Sequence, residues 1–197
     1  MVDKNMQEQR MKNYFIEAGY SILIKQGTEQ LTVRNIAQKA GYSYATIYNY
    51  FNNFDELMWA IGVKVLDILA ETLNEHYEQV KTKLDDRKVL KSVYKKYIDY
   101  FLENENLYHF IFFKNINIED IEQGNKTQPP VLYKLQQKIM EKCFKKGVIK
   151  KADIVIAGDL LTNSINGLLS LYFSGKENIS KKELYLKAEK YIDYIIS

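Results

Sequence analysis

The stretch LTVRNIAQKAGYSYATIYNYF, from Leu31 to Phe51, decides the fold. Thr32 is a suitable N-cap for a first short helix. The apolar side chains of that helix recur at helical spacing, at Val33, Ile36, Ala37 and Ala40. Gly41 can adopt the positive φ that ends it, and Ser43 can cap a second short helix that extends to Phe51. Two short helices on either side of a glycine predict a helix-turn-helix.

The spacing of three small or apolar residues fits the packing of these two helices. Ala37 leaves room for the helices to approach, Gly41 permits the turn, and Ile47 can close the angle from the second helix. A longer helix precedes them, because MQEQRMKNYFIEAGYSILIKQG carries apolar residues at helical spacing. These are Met11, Phe15, Ala18 and Ile22, followed by Gly27 as a left-handed C-cap. The sequence therefore predicts a three-helix N-terminal unit.

The second short helix carries aromatic side chains and no charge. Ile47 and Phe51 are four residues apart and can share its buried face, which leaves Tyr44 and Tyr48 on another face. The exposed side would present hydroxyls, an amide and flat apolar surface, from Tyr44, Ala45, Thr46, Tyr48 and Asn49. Such groups suit phosphate oxygens, base edges and thymine methyl groups in a DNA major groove. The alternative is that the tyrosines only cover a small core, with their hydroxyls in water.

The rest of the chain also has helical periodicity, so the predicted fold class is all-α. The sequence contains two prolines, Pro129 and Pro130, and proline is what breaks helix interiors. Long helices are predicted for DELMWAIGVKVLDILAETLNEHYEQV and DRKVLKSVYKKYIDYFLENEN, followed by the short aromatic segment ENLYHFIFFKN. The proline pair can start a further helix at Val131.

The last two predicted helices have apolar surface that needs a partner. The segment ADIVIAGDLLTNSINGLLSLYFSG is apolar on most sides and requires burial on more than one face. Apolar residues of the final helix align at Leu184, Ala188, Tyr191 and Ile195. The pair is expected to pack against its twin in a homodimer, although it could instead complete the core of a monomer.

The segment from Leu31 to Leu57, LTVRNIAQKAGYSYATIYNYFNNFDEL, resembles the DNA-binding signature of the TetR family of bacterial repressors. The shared features are a threonine-capped helix, an alanine-glycine turn, a threonine-aliphatic-tyrosine core and a Tyr-Phe pair before an acidic helix start. The resemblance implies an all-helical homodimer. Its domain 1–53 would bind double-stranded operator DNA through the helix-turn-helix, and its domain 54–197 would bind a small-molecule effector and the partner subunit.

The resemblance also implies roles for individual residues. Thr32, Thr46 and Tyr48 match positions that hold phosphates, whereas Arg34 and Tyr44 match positions that reach bases. Between Gln30 and Phe54 there is no acidic residue, which suits an approach to DNA.

The chain departs from the family pattern at Phe54, where members commonly have a lysine that grips the phosphate backbone. Asn52, Asn53 or the backbone amides at the helix start can substitute for it. The predicted DNA-binding set therefore also includes Asn53, besides Ala45 and Asn49 of the exposed face.

The second predicted domain is rich in aromatic side chains that could line an apolar cavity between helices. The residues predicted to contact an effector are Trp59, Tyr97, Phe101, Tyr108, Phe112, Tyr133 and Tyr172. The effector would then be small and hydrophobic or aromatic. An aromatic stripe at helical spacing more often packs a core than lines a pocket. The alternative for each of these residues is therefore that it only packs the core.

No pattern in the sequence predicts an enzyme, a metal site or a cofactor. The two histidines, His76 and His109, lie on different predicted helices and have no cysteine or paired carboxylate near them. His76 is expected to be solvated, and the single cysteine, Cys143, is expected to be a packed thiol. The N-terminal residues lack the apolar core of a secretory signal, and no window has the uninterrupted apolar run of a membrane span. We therefore expect a cytoplasmic protein without membrane contact.

These observations predict a ligand-responsive transcriptional regulator, acting as a repressor, that binds a palindromic operator as a homodimer. The net charge of +3 contributes little to this prediction. The competing interpretation is a non-enzymatic helical small-molecule-binding or scaffold protein of the same fold that has lost operator binding. Phe54 and the modest charge favour that alternative.

Overall fold

The computed structural model describes residues 2–117, 135, 137–142 and 154–196. Every regular element within these residues is a helix, which confirms the predicted all-α fold class. The predictions that concern Pro129, Pro130, Tyr133 and Cys143 lie outside the described residues.

From α1 to α6 the helices follow one another along the chain with short connections. Their bounds are α1 Val2–Gln26, α2 Val33–Ala40, α3 Tyr44–Ile47, α4 Phe54–Val80, α5 Asp86–Glu103, α6 Glu105–Phe113, α7 Ile154–Ser174 and α8 Lys181–Ile195. A 3-10 helix at Thr28–Gln30, which no pattern in the sequence predicts, joins α1 to α2. Residues 137–142 are helical as well.

The described residues form two compact units, and the division between them falls within α4. The N-terminal unit contains the chain up to Ile68 together with residues from Asn104 to Asn117. The second unit contains Leu69–Glu103 and the described residues from Leu135 onward. The functional division predicted after residue 53 stays a prediction.

The core of the N-terminal unit is built from apolar side chains of its successive helices. Its fully buried members include Phe15 and Leu23 of α1, Ile36 of α2, Ile47 of α3 and Ile61 of α4. Gly19 allows α1 and α4 to approach closely, because a Cβ at this position would clash with the side chain of Ile61. The predicted apolar stripe of α1 is therefore a packing surface for two other helices.

The end of α1 differs in one respect from the prediction. Gly27 has the expected positive φ of 83°, but its ψ of 179° is extended rather than left-handed helical. The reason is that the chain does not wrap back onto α1; it turns directly into the 3-10 helix at Thr28–Gln30. This combination of dihedral angles is accessible almost exclusively to glycine.

In the second unit, α7 and α8 pack on each other and α8 also packs on α5. The buried face of α8 consists of Leu184, Ala188 and Ile192. Of the other two residues in the predicted alignment, Tyr191 is 40% exposed and Ile195 is half-buried within the subunit, and their burial against a twin stays a prediction. Contacts with α5 rotate the buried face toward Ile192. An ion pair from Lys91 of α5 to Asp193, at 2.7 Å, also joins the two helices.

Among the residues that the structure describes, one helix, α7, is long and apolar enough to cross a membrane by length and composition. Its sequence nevertheless includes Asp159, Asn163 and Asn166. A third of the apolar window is buried inside the protein, at 33%. Core helices of soluble proteins also meet this criterion, so length and composition alone do not assign α7 to a membrane.

Candidate nucleic-acid interface

The α2 helix begins and ends as its sequence predicts. The hydroxyl oxygen of Thr32 accepts a hydrogen bond from the backbone N–H of Asn35 at 3.2 Å, which confirms its role as N-cap. Gly41 ends the helix with left-handed dihedral angles of φ 78° and ψ 24°. The N–H of Tyr42 then donates to the carbonyl oxygen of Ala37 at 2.9 Å, so the turn between α2 and α3 has one defined geometry.

The α3 helix is shorter than predicted. It spans Tyr44–Ile47, and the residues up to Tyr50 continue as a turn. Ser43 occupies the N-cap position but makes no capping bond to a backbone amide. Its hydroxyl lies 2.9 Å from the hydroxyl of Thr46 instead. The N–H of Phe51 donates to the carbonyl oxygen of Ile47 at 3.0 Å, so helical geometry persists enough to bury Phe51.

The exposed and buried faces of α3 agree with the predicted arrangement. Ile47 is fully buried and Phe51 is 3% exposed, whereas Tyr44 is 58% and Tyr48 48% exposed. Ala45 and Asn49 are also exposed, and Thr46 is half-buried. The two tyrosine rings are thus not part of the core, and the sequence correctly assigned them to the outer face.

The aromatic side chain of Tyr42, in the turn between α2 and α3, packs against α1. The sequence did not predict this contact. Its ring lies edge-on to Tyr14 and Phe15, with centroid distances of 6.4 and 5.6 Å. Its hydroxyl donates a long hydrogen bond to the sulfur of Met11 at 3.6 Å. The contact partners are about 30 residues away in sequence, so local spacing could not reveal them.

The start of α4 is held by side chains of the preceding turn. The amide oxygen of Asn53 accepts from the N–H of Glu56 at 2.8 Å, and the N–H of Asn52 donates to the Glu56 carboxylate at 2.7 Å. Asn53 was predicted to contact phosphate. Its oxygen serves as a helix cap, so a DNA contact from this side chain would use its NH2 group.

The charges around the helix-turn-helix have a simple distribution. Arg34 and Lys39 are both exposed on α2, and no acidic residue occurs between Gln30 and Phe54. The first turn of α4 then carries Asp55 and Glu56, of which Glu56 is buried. The surface of α3 is therefore uncharged, and in sequence the cations that precede it are Arg34 and Lys39 on α2.

The residues predicted to contact an effector fall into both units. Trp59, Tyr108 and Phe112 belong to the N-terminal unit, and Tyr97, Phe101 and Tyr172 belong to the second. Tyr133 lies outside the described residues. Their contact with an effector stays a prediction.

Within each unit some of these aromatic residues are in contact. Tyr108 and Phe112 have ring centroids 4.7 Å apart, and burial raises the pKa of Tyr108 to about 12. Tyr97 and Phe101 have centroids 5.1 Å apart. The Tyr97 hydroxyl also donates to the amide oxygen of Asn166 on α7 at 2.7 Å, so polar groups lie beside the aromatic ones.

The histidines have local structural partners. His76 was expected to be solvated, and this was wrong: it is half-buried, and its Nε2 hydrogen-bonds the hydroxyl of Ser92 on α5 at 2.7 Å. Burial lowers the pKa of His76 below its ordinary value, so the neutral ring is favoured. His109 lies 3.3 Å from the Glu105 carboxylate, one helical turn away. Among the described residues, no group of three or more His, Cys, Asp and Glu side chains has the arrangement of a metal site.

Comparisons with known proteins support the helix-turn-helix assignment. The family model described as bacterial regulatory proteins, tetR family, matches residues 15–61. A curated relative, an uncharacterised HTH-type transcriptional regulator from Haemophilus influenzae, is 30% identical over 60 residues. That match covers 30% of this chain and 32% of the relative, so the chain spans about a third of the length of the curated relative it matches.

Similarity to solved structures extends over nearly the whole chain. The fatty acid degradation regulator FadR from Bacillus halodurans is 14% identical with a TM-score of 0.69, over 94% of each chain. A TetR transcriptional regulator from Rhodococcus sp. RHA1 is 16% identical with a TM-score of 0.64, over 96% of this chain and 97% of that one. BioQ, solved with its double-stranded DNA operator, is 15% identical with a TM-score of 0.62, over 94% and 97%.

These three likenesses concern the fold, because their sequence identities are low. The family match concerns the segment that contains α2, the glycine turn and α3. Residues 15–61 of the chain thus match the helix-turn-helix segment of the tetR family of bacterial regulatory proteins.

Proposed function

We propose that the protein is a ligand-responsive transcriptional regulator, a repressor, that binds a palindromic DNA operator as a homodimer. A small hydrophobic or aromatic effector releases it from DNA. The protein acts in the cytoplasm and is not an enzyme. The observation that carries this proposal is the exposed, uncharged outer face of α3. The side chains of Ile47 and Phe51 are buried on the other face and anchor the helix in the core.

The geometry of the helix-turn-helix supports insertion of α3 into a major groove. The left-handed turn at Gly41 and the contacts of Tyr42 with α1 position α3 within the N-terminal unit. Tyr44 and Tyr48 extend outward from it with large exposed fractions. Side chains of this kind can donate hydrogen bonds to phosphates and base edges. Thr32, Arg34, Thr46 and Asn53 border this face and are proposed as further DNA contacts.

The homodimer is proposed to form through α7 and α8. Both helices expose large apolar side chains, with Val155, Ile156 and Leu160 on α7 more than half exposed. On α8, Leu186 is 48% and Tyr194 is 83% exposed. Apolar surface on two adjacent helices is stabilised when a second copy covers it. A two-fold dimer presents two α3 helices, which would fit successive major grooves about 34 Å apart.

The effector response is proposed as a shift between two dimer arrangements. Binding among the aromatic side chains favours the arrangement in which the two α3 helices no longer match the groove spacing. The proposed contacts are Trp59, Tyr97, Phe101, Tyr108, Phe112, Tyr133 and Tyr172. The fold relationship to a fatty acid degradation regulator supports a regulatory role for this fold.

Fluorescence anisotropy tests the proposed function. The full-length protein is titrated into labelled DNA that flanks its own gene and, separately, into a scrambled duplex of equal length, across a salt series. The proposal predicts specific binding that persists near physiological salt. Equal and steeply salt-dependent binding to all flanking segments and to the scrambled duplex would contradict it.

A second candidate function is a helical small-molecule-binding or scaffold protein that has lost operator binding. The start of α4 favours this candidate, because Phe54 provides no cation there, and the modest net charge of +3 favours it as well. The two candidates differ in whether any duplex binds specifically to the wild-type protein, so the same titration distinguishes them.

A further inference from the structure

The outer face of α3 has a chemical composition that limits which bases it can read. This inference rests on the proposed function, because it assumes that α3 enters the major groove. Between Leu31 and Asn53 the sequence contains one arginine, Arg34, and one lysine, Lys39, and both belong to α2. The α3 helix and the turn after it carry neither.

Guanine is usually read by an arginine or lysine that donates to its O6 and N7 atoms. No residue from Gly41 to Asn53 can make that contact with a charged group. The donors on this surface are the hydroxyls of Tyr44 and Tyr48 and the amide of Asn49, all on exposed residues. An asparagine amide pairs best with adenine, through its N6 and N7 atoms.

The hydroxyls of Ser43 and Thr46 contribute less to base reading than their number suggests. They lie 2.9 Å apart, so one of the two protons is used in the hydrogen bond between them. Thr46 is moreover half-buried. The exposed groups that remain are mostly apolar: the methyl group of Ala45 and the rings of Tyr44 and Tyr48.

In the major groove, thymine is the base that presents a methyl group, and apolar side chains contact it. We propose that the protein reads A·T-rich half-sites, with thymine methyl groups packed against Ala45 and the Tyr44 and Tyr48 rings. Asn49 pairs with an adenine beside them. Arg34, on the neighbouring helix, reads a guanine only at the margin of the half-site.

The test begins with selection of DNA sequences from a random duplex library by the full-length protein. Each thymine of the selected half-site is then replaced in turn by deoxyuridine, which removes the methyl group and leaves base pairing intact. The proposal predicts A·T-rich half-sites and, for at least one position, a loss of affinity of about fourfold, the effect expected for one buried methyl group.

The variant Ala45→Gly connects this effect to α3. In this variant, the ratio of affinities for the thymine duplex and the deoxyuridine duplex should fall from about four toward one, because the contact partner of the methyl group is gone. Ala60→Gly, which makes the same change within α4, is the matched control, and its affinity ratio for the two duplexes should equal that of the wild type. Circular dichroism of both variants checks that the helices persist.

Two outcomes would overturn the inference while specific DNA binding stands. One is selection of G·C-rich half-sites, and the other is A·T-rich half-sites that tolerate deoxyuridine at every thymine. The latter result would mean that DNA shape, rather than methyl contact, is read. If no sequence is enriched over the library, the proposed function itself fails and the inference fails with it.

Discussion

The side chain of Asn106 on α6 donates a hydrogen bond from Nδ2 to the carbonyl oxygen of Ile24 on α1, at 3.1 Å. Its Oδ1 atom lies 3.0 Å from the place where a Cβ on Gly27 would stand. One amide therefore caps the end of α1 and lies against the glycine that redirects the chain toward α2.

Replacement of Gly27 by alanine is expected to destabilise the protein by about 1–3 kcal/mol, because its dihedral angles are accessible almost exclusively to glycine. Asn106→Ala should cost about 1 kcal/mol through the lost hydrogen bond. Urea unfolding measures both. In the double variant the total should be less than the sum, since the contact between the new Cβ and the amide oxygen is gone. Full additivity would mean that this contact contributes nothing.

Replacement of Tyr48 by phenylalanine is expected to weaken operator binding roughly tenfold per half-site, because it removes a hydrogen bond to a charged phosphate. The fold should be unaffected, since the hydroxyl is exposed. Anisotropy at several salt concentrations measures the change. Tyr14→Phe, at a residue that is 59% exposed on α1, is the control with the same chemical change, and it keeps the ring that packs against Tyr42. Unchanged affinity at every salt concentration would rule out the phosphate contact of Tyr48.

Phe54→Lys is expected to raise DNA affinity and to steepen its salt dependence. Each additional phosphate contact changes the slope of log K against log salt by about 0.9. Phe54→Met, an uncharged replacement, is the control and should leave the slope unchanged. If the wild-type protein binds no duplex and Phe54→Lys does, the result favours the second candidate function, a small-molecule-binding or scaffold protein that has lost operator binding.

Leu160→Glu is expected to dissociate the proposed homodimer, because it puts a charge into an apolar interface. Leu160 is 53% exposed on α7, so the substitution does not disturb the core of the subunit. Sedimentation velocity should show half the mass of the wild-type particle. Leu84→Glu, at a residue that is 37% exposed in the turn after α4, is the matched control. A Leu160→Glu variant with the same mass as wild type would contradict an α7–α8 interface.

The pH dependence of stability can be tested at Asp99 of α5. Burial raises the pKa of this carboxyl, but hydrogen bonds from Tyr185 and Lys95 outweigh burial and hold its pKa below the ordinary value. A depressed pKa in the folded state stabilises the protein above the unfolded pKa of about 3.9, and this contribution is lost as pH falls through the folded pKa.

Tyr185→Phe removes one of these hydrogen bonds. The variant should be less stable than wild type at pH 7, and the difference should shrink as pH falls below about 4. Urea unfolding at pH 7 and pH 3 measures both values. An equal difference at the two pH values would mean that the tyrosine hydroxyl contributes without regard to the charge of Asp99.

The features that sequence predicts well here depend on short-range geometry. The N-cap at Thr32, the left-handed Gly41 and the outward direction of Tyr44 and Tyr48 all follow from spacings of a few residues. The same signals marked the candidate DNA-binding face. Local chemistry was sufficient because each of these features is formed within one helix or one turn.

The features that sequence did not predict depend on partners far away along the chain. Tyr42 packs on α1, His76 bonds Ser92, and α8 turns Ile192 rather than Tyr191 inward because it contacts α5. The early end of α3 was not predictable from spacing either. Phe51 is buried although it lies beyond the end of the helix, so its apolar spacing from Ile47 does not show how far the helix extends. Spacing within one segment cannot reveal which neighbour that segment will meet.

The central claim is that the neutral face of α3 recognises a DNA sequence, and its most direct test is the ratio of affinities for a selected duplex and a scrambled one. This ratio is measured at near-physiological salt for wild type and for the double variant Tyr44→Ala, Asn49→Ala. We predict a ratio of at least 1,000 for wild type, and a fall toward one in the variant while the scrambled duplex binds as before. A ratio that the double variant leaves unchanged would contradict the claim.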